Sequence, residues 1–300
     1  MPDAEWYYQP IMGEKTVHTN IKLKKVVVAT LNINGLPSFR HDARTKALLL
    51  PHQIRHRELC RYLEASDIDV TNFQEIVTYR NYRFLKACLP SFGYVSFEPS
   101  LLGPKGALVT FSRLPIDKVS YGSYREVVKL VDASVLPRLS MTKIKMKGIL
   151  VSQLKNVPLT VINTHPLAND DWDWSDNNRF YALHKAQLSK LASLIQNLRA
   201  ANKNAIILGS DLNIAKDSSL FRDFLSKCEL HDIFQGDTHP TFHSEFVEPG
   251  KLARCIDYLL TSNGVVTETP HRIFEGRVSV RGYGDIYITD HVGLRATLKV

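Results

Sequence analysis

The sequence predicts an α/β chain built on a two-layered sheet core. Three observations carry that expectation. Short apolar, β-branched runs recur from near residue 25 to the C-terminus, each flanked by turn residues. Segments of helical period lie between some of them, and no Gly/Ser- or Pro-rich linker, low-complexity tract or internal repeat divides the chain. In order, VVVATLNI (26–33) reads as a strand, IRHRELCRYLEAS (54–66) as a helix, and ALVTFS (107–112), KGILVSQL (147–154) and LTVINT (159–164) as strands. FYALHKAQLSKLASLIQNLRAAN (180–202) is the longest helical pattern, with Leu183, Leu188, Leu191, Leu194, Ile195 and Leu198 on one stripe. AIILGSDL (205–212) follows as a strand, LFRDFLSKCEL (220–230) as a helix, and CIDYLLTS (255–262) and HVGLRATLKV (291–300) as the closing strands. Residues 1–22 read as an irregular arm and residues 23–300 as one domain.

Composition narrows the class. With 44% hydrophobic and 23% charged residues, the chain is neither disordered nor fibrous. No apolar run approaches the ~20 residues of a membrane-spanning helix. The first residues lack the basic-then-apolar order of a secretory signal, so the chain as given reads as cytoplasmic, with non-classical export or a mature fragment as alternatives. Cys60, Cys88, Cys228 and Cys255 are scattered without CxxC or zinc spacing and read as free thiols. A charge of +8 favours anionic partners, and a monomer is the default state.

The chemistry is marked where polar residues interrupt the apolar strands. Asn32 closes TLNING, Glu75 follows DVTNFQ, and VINTHP ends in Asn163 and His165. GSDLN carries Asp211 and Asn213, RCIDYLL embeds Asp257, and Asp290 and His291 precede the last strand. A buried ionised carboxylate costs several kcal/mol unless it is paired or bound to a metal. One such residue is ordinary turn chemistry; six strands ending this way are not. Convergence of Glu75, Asp211 and Asp290 with Asn32 and Asn213 makes an all-oxygen site suited to Mg²⁺, with Mn²⁺ as the alternative. Two histidines beside it supply a base and a proton donor or oxyanion stabiliser, which together fit hydrolysis of a phosphate ester by activated water.

The ordered set TLNING, FQE, NTH, GSDLN, IDYLL and TDH resembles the endonuclease/exonuclease/phosphatase superfamily over roughly residues 25–300. That resemblance implies the deoxyribonuclease I-like fold, a four-layer α/β sandwich with two mixed sheets face to face and helices outside. It implies Glu75 as principal metal ligand with Asn32 beside it, and Asp290 completing the metal site or orienting a histidine. It further implies that Asp211 and Asn213 orient water and phosphate. His291, steered by Asp257, acts jointly with Asp211 as base, and His165 bonds a phosphate oxygen.

Within the superfamily, MKGILVSQL followed by LTVINTHPLAND resembles the Lys-Gly strand and Thr-His-x-x-Ala turn of neutral sphingomyelinases, and HKAQLSKLASLI resembles their Arg-x-x-Gln helix with His184 in place of arginine. A phospholipid-type phosphodiester is therefore the first substrate expectation. DNA or RNA is the second, an inositol phosphate the third, and a non-catalytic scaffold the alternative from another class. Expected partners are an anionic phosphate ester and, beyond it, a membrane surface or nucleic acid. Trp172 and Trp174, in the loop NDDWDWSDNNRF, are candidates to meet substrate or a membrane interface, against the alternative that they pack on the domain itself. Lys105, in GPKGALVTFSRLPI, is a candidate phosphate contact. The basic stretches KLKK (22–25) and KIKMK (143–147) flank or occupy strands and read as solvated edges, with a nucleic-acid patch as the alternative.

Overall fold

A computed structural model describes residues 24–35, 51–130, 136–268 and 270–300. The expected arm over residues 1–22 lies outside the described residues. The first sheet is assembled around β1 (Lys25–Asn32), which pairs parallel with β2 (Val70–Gln74) and antiparallel with β15 (Gly293–Lys299). β4 (Val109–Ser112) and β3 (Tyr94–Ser96) extend it beyond β2. On the other side, β11 (Val266–Thr267) and β12 (His271–Ile273) pair with β15. The second sheet runs in the order β5 (Ile116–Ser123), β6 (Gly148–Leu154), β7 (Leu159–Thr164), β8 (Ala205–Asp211), β10 (Asp257–Ser262), β9 (Leu230–Asp232). β13 (Val278–Val280) and β14 (Gly284–Ile286) form a separate hairpin.

Alternation along each strand directs one set of side chains between the sheets and the other set outward. Val26, Val28, Val70, Val161, Ile207, Leu259, Leu294 and Ala296 fill the space between the two sheets. The outer face of the first sheet packs under α1 (His52–Ala65) and α2 (Tyr79–Cys88), which contribute Leu59, Leu63, Leu85 and the start of the next loop. The outer face of the second packs under α4 (Tyr181–Ala201) and α5 (Ser219–Cys228), through Leu183, Leu188, Leu191, Ile195, Phe221 and Phe224. Helix, sheet, sheet, helix: this is the four-layer sandwich with two mixed sheets expected from the sequence. The strand bounds differ from the sequence reading by no more than two residues at either end, and α2 begins where Thr78 accepts the backbone N–H of Asn81 at 3.2 Å, a cap no apolar period announces.

One stretch departs from expectation. KIKMK was expected to be a solvated edge that flanks or occupies a strand. It is instead the end of α3 (Arg138–Met146) together with the residue that follows. Pro137 starts that helix, its Lys, Arg, Leu and Met residues favour helical backbone, and Ser140 and Ile144, four apart, form its buried stripe.

Candidate active site

The C-terminal ends of β1, β2, β7 and β8 and the N-terminal ends of β6, β10 and β15 open on the same edge of the sandwich. Just below it, amides stitch the sheets together. Asn72 donates to the carbonyls of Ile162 and Gly209 at 2.9 and 3.0 Å and accepts from Thr110. Gln74 donates to Asn163 Oδ1 at 2.8 Å, and Asn163 donates to the carbonyls of Phe73 and Val109. Asn163, singled out in the sequence as a strand-end polar residue, is thus a cross-sheet brace.

Above this brace lies Asp211. His165 Nε2 stands 3.2 Å from its Oδ2, His291 Nε2 3.8 Å away, and the Asn32 amide donates to the same oxygen at 2.9 Å. Asn32 also donates to Glu75 at 3.2 Å, while its own oxygen accepts the N–H of Asn34. Asp211 Oδ1 accepts the backbone N–H of Asn213 at 2.8 Å, and the Asn213 amide reaches the carbonyl of Pro166. Behind His291, Asp257 Oδ2 accepts from Nδ1 at 2.9 Å, and the other Asp257 oxygen has no partner among the described residues. Asp290 accepts from the Asn34 side chain at 2.7 Å and stands 3.9 Å from His291 Nε2. The structure therefore brings Asn32, Glu75, His165, Asp211, Asn213, Asp257, Asp290 and His291 together at one end of the sandwich.

Proximity shifts the protonation of the buried members. Burial works against charge on Asp211, yet His165, His291 and Asn32 hold it well below the ordinary carboxylate range. Burial likewise opposes an imidazolium at His291, but Asp257 and Asp211 raise it well above its ordinary value. Burial and then Asp211 push Asp257 up to about 6 against the pull of His291, so the pair shares one proton tightly.

The backbone is strained where it turns into the site. Glu75, Asn34 and Asn213 have φ of 68°, 47° and 55°, in the left-handed region that asparagine tolerates and glutamate rarely adopts. Gly35 is required beside them, because a Cβ there would stand 2.1 Å from the carbonyl oxygen of Glu75. Two further residues complete the frame and were not assigned from sequence. Lys147 Nζ lies 3.0 Å from His165 Nδ1, and burial lowers it to about 8 although Glu75 and Asp211 favour its charge. Its signal was present as the polar residue entering strand KGILVSQL. Arg55 reaches from α1 to the carbonyls of Ile288 at 2.6 Å and Asn34 at 3.0 Å, tying the turn after β1 to the loop that carries Asp290. A lone Arg on a helical stripe gives no such signal.

The substrate candidates fare differently. Trp174 is buried in the core under the second sheet, and its indole N–H donates to the carbonyl of Asn213 at 2.8 Å. Trp172 donates to the carbonyl of Leu252 and packs on Trp174 and Phe242, with ring centroids 5.3 and 5.5 Å apart. Phe242 in turn sets its ring edge-on to His291 at 5.0 Å. The tryptophans thus pack on the domain itself, Trp174 buried and Trp172 partly exposed. They form an aromatic wall behind Asn213 and His291, because indole N–H groups in a folded loop find backbone acceptors there. Lys105 lies over the ring of Tyr121, 5.0 Å from its centroid.

Asp211, Asp257 and His291 place potential ligand atoms within 4.8 Å of one another. Their geometry is that of a hydrogen-bonded relay, since the Asp257 oxygen and His291 nitrogen already satisfy each other. Glu75 and Asp290 differ: both are partly exposed, and among the described residues neither lies within ion-pair distance of a lysine or arginine, Arg55 and Lys147 acting on them only at longer range. Their donors are all oxygen, with every cysteine elsewhere, so a hard divalent cation fits there better than zinc.

The endonuclease/exonuclease/phosphatase family model matches residues 29–291, and the chain belongs to that family. Solved structures of similar fold include TDP2 from D. rerio complexed with single-strand DNA product, 16% identical, covering 92% of this chain and 99% of that one with a TM-score of 0.64. SmcL is similar at 15% identity, 92% and 99% coverage and a TM-score of 0.62. Beta toxin from Staphylococcus aureus, a mutant with bound magnesium ions, is similar at 16% identity, 91% and 99% coverage and a TM-score of 0.61. No curated protein matches the chain.

Proposed function

We propose that this chain is a Mg²⁺-dependent phosphodiesterase that attacks its ester with an activated water, and that its substrate is a phospholipid-type head group. The observation that carries the reaction class is the surround of Asp211, with His165 at 3.2 Å, His291 at 3.8 Å and Asn32 at 2.9 Å. Glu75 and Asp290 would hold the magnesium ion, which supplies Lewis-acid neutralisation of charge on the phosphate oxygens. A cation held there would offset the part of the carboxylate field on His291 that comes from Asp290, and so would favour the neutral imidazole, the form that accepts a proton from water. Asp257 holds the ring in position and balances the charge it gains. Asp211 orients the water. His165 and Lys147 form a cationic and hydrogen-bonding edge for the developing phosphorane charge, a contribution typically of ~2.7–4 kcal/mol per donor.

The lipid reading is supported by the meeting of Lys147 and His165, because these come from the Lys-Gly strand and Thr-His turn that resemble neutral sphingomyelinases. The nuclease reading is the second, favoured by the +8 charge and by the likeness to TDP2 bound to a DNA product. Hydrolysis of sphingomyelin in mixed micelles, single- and double-stranded DNA, and bis-p-nitrophenyl phosphate, each with Mg²⁺ and with EDTA, tests both. EDTA-sensitive phosphocholine release that outruns DNA cleavage is the expected result. DNA cut while lipid is untouched transfers the site to nucleic acid.

A further inference from the structure

Away from the tryptophan loop, exposed apolar side chains lie elsewhere on the rim of the site. Leu101 and Leu102 are 94% and 77% exposed at the tip of the loop between β3 and β4. The loop backbone is pinned by Tyr79, whose hydroxyl donates to Ser100 O at 2.8 Å and whose N–H donates to Leu102 O at 3.3 Å, and by Ser100, whose hydroxyl donates to Gly103 O at 2.7 Å. On the neighbouring α3, Leu139 and Met146 are 59% and 58% exposed. Spaced with Lys143 at four and three residues, they share one face of the helix. Arg138, Lys143, Lys145 and the following Lys147 give this segment four cations and no carboxylate.

The two parts are linked through the base of the loop. Tyr121 lies beneath Lys105 and donates its hydroxyl to Met146 O at 3.3 Å, joining the loop to the end of the helix. The loop's one carboxylate, Glu98, is half-buried. Lys147 connects the helix directly to His165, so the patch adjoins the catalytic cleft.

We infer that the Leu101–Leu102 tip and the exposed face of α3 form a docking surface for an anionic phospholipid bilayer. Two fully exposed leucines on a rigid turn are unfavourable in water and suited to insertion among acyl chains, while Arg138, Lys143 and Lys145 sit at head-group level. A basic helix with apolar residues on its solvent face has the same match, each cation near an anionic surface strengthening binding roughly fivefold. The assignment concerns where the protein docks and does not depend on which ester it cuts.

The test is co-sedimentation of the full chain with vesicles of phosphatidylcholine alone and of phosphatidylcholine with phosphatidylglycerol. It is run in EDTA, so that binding is read apart from hydrolysis. Binding to the anionic vesicles is expected. The pair Leu101→Asp and Leu102→Asp should weaken it at least about tenfold, Arg138→Glu with Lys145→Glu by a similar factor, and Val266→Asp at the far end of the first sheet should leave it unchanged. Circular dichroism and hydrolysis of soluble bis-p-nitrophenyl phosphate report that each variant is folded. No partition to vesicles, equal partition to neutral and anionic vesicles, partition unaltered by the leucine pair, or binding to single-stranded DNA without binding to vesicles would each overturn the assignment.

Discussion

The space between the two sheets changes character from one end to the other, although the same strands line it throughout. At the far end Val26 and Val28, Val70, Leu159 and Val161, Ile207 and Leu259 pack as hydrocarbon. Two residues further along each strand, on the same face, stand Thr30 and Asn32, Asn72 and Gln74, Asn163 and His165, Gly209 and Asp211, and, on the antiparallel β10, Asp257. The far end gains ~1.5–3 kcal/mol for each large side chain removed from water. The site end gains little from burial and depends on amides that bond across the sheets beneath the carboxylates. Stability and chemistry are thus placed on one periodicity, with the amide layer insulating the first from the second.

Substitutions at the two ends should separate these roles. Glu75→Ala should lower turnover by roughly three orders of magnitude and abolish the Mg²⁺ response, because it removes a carboxylate that would neutralise the ion. Retained activity with an unchanged Mg²⁺ titration would remove Glu75 from the site. His165→Gln should reduce kcat by ~10²–10³ with little change in KM, and steady-state kinetics showing a KM effect alone would make it a ground-state contact.

Lys147→Met is expected to cost about tenfold in kcat/KM. It should also change the pH profile. Lys147 is charged below about 8 and neutral above, so the wild type should lose kcat/KM as pH rises through about 8. That limb should vanish in the variant; its persistence would assign the limb to another group.

Paired changes on β7 address the amide layer. Val161→Ala should cost ~1–3 kcal/mol of stability in denaturant unfolding with kcat unchanged. Asn163→Ala should cost a similar ~1–3 kcal/mol and also lower kcat, since Gln74 loses its cross-sheet acceptor. Equal kinetic effects of the two would dissolve the distinction between the ends.

An effect confined to acid pH concerns His184, buried with its Nε2 against the carbonyl of Leu167. Burial lowers it from the ordinary 6.5 to about 4. Between those values the unfolded chain takes up a proton that the folded chain refuses. Stability from this group is therefore intact above pH 6.5 and falls as pH drops toward about 4, by ~1.4 kcal/mol per pH unit at most. Melting curves of wild type and His184→Gln across that window should diverge, with the variant less pH-sensitive.

Much of this was legible in the sequence because the chemistry interrupts apolar strands in register. TLNING, NTH and GSDLN announce their acids and imidazoles by where hydrophobicity stops, and Asn32, His165 and Asp211 meet as that pattern requires. Lys147 was harder to see, because it stands just past the end of α3 within a basic stretch that reads as a solvated edge. Arg55 was invisible: it sits where an apolar helix residue would, and its acceptors are backbone carbonyls from loops far away in sequence. The tryptophans were legible as a loop beside the site, but not where their indole N–H groups are satisfied. Large amphipathic side chains next to a site look presented to solvent until an internal acceptor, here the carbonyl of Asn213, accounts for the indole N–H.

The central claim is that the polar end of the inter-sheet space is a divalent-cation site and the apolar end is not involved. Calorimetric titration of Mg²⁺ into wild type, Glu75→Ala and Val161→Ala tests it most directly. Saturable binding in wild type and Val161→Ala, lost in Glu75→Ala, is the expected result. Binding that is absent from wild type, or unchanged in Glu75→Ala, would contradict it.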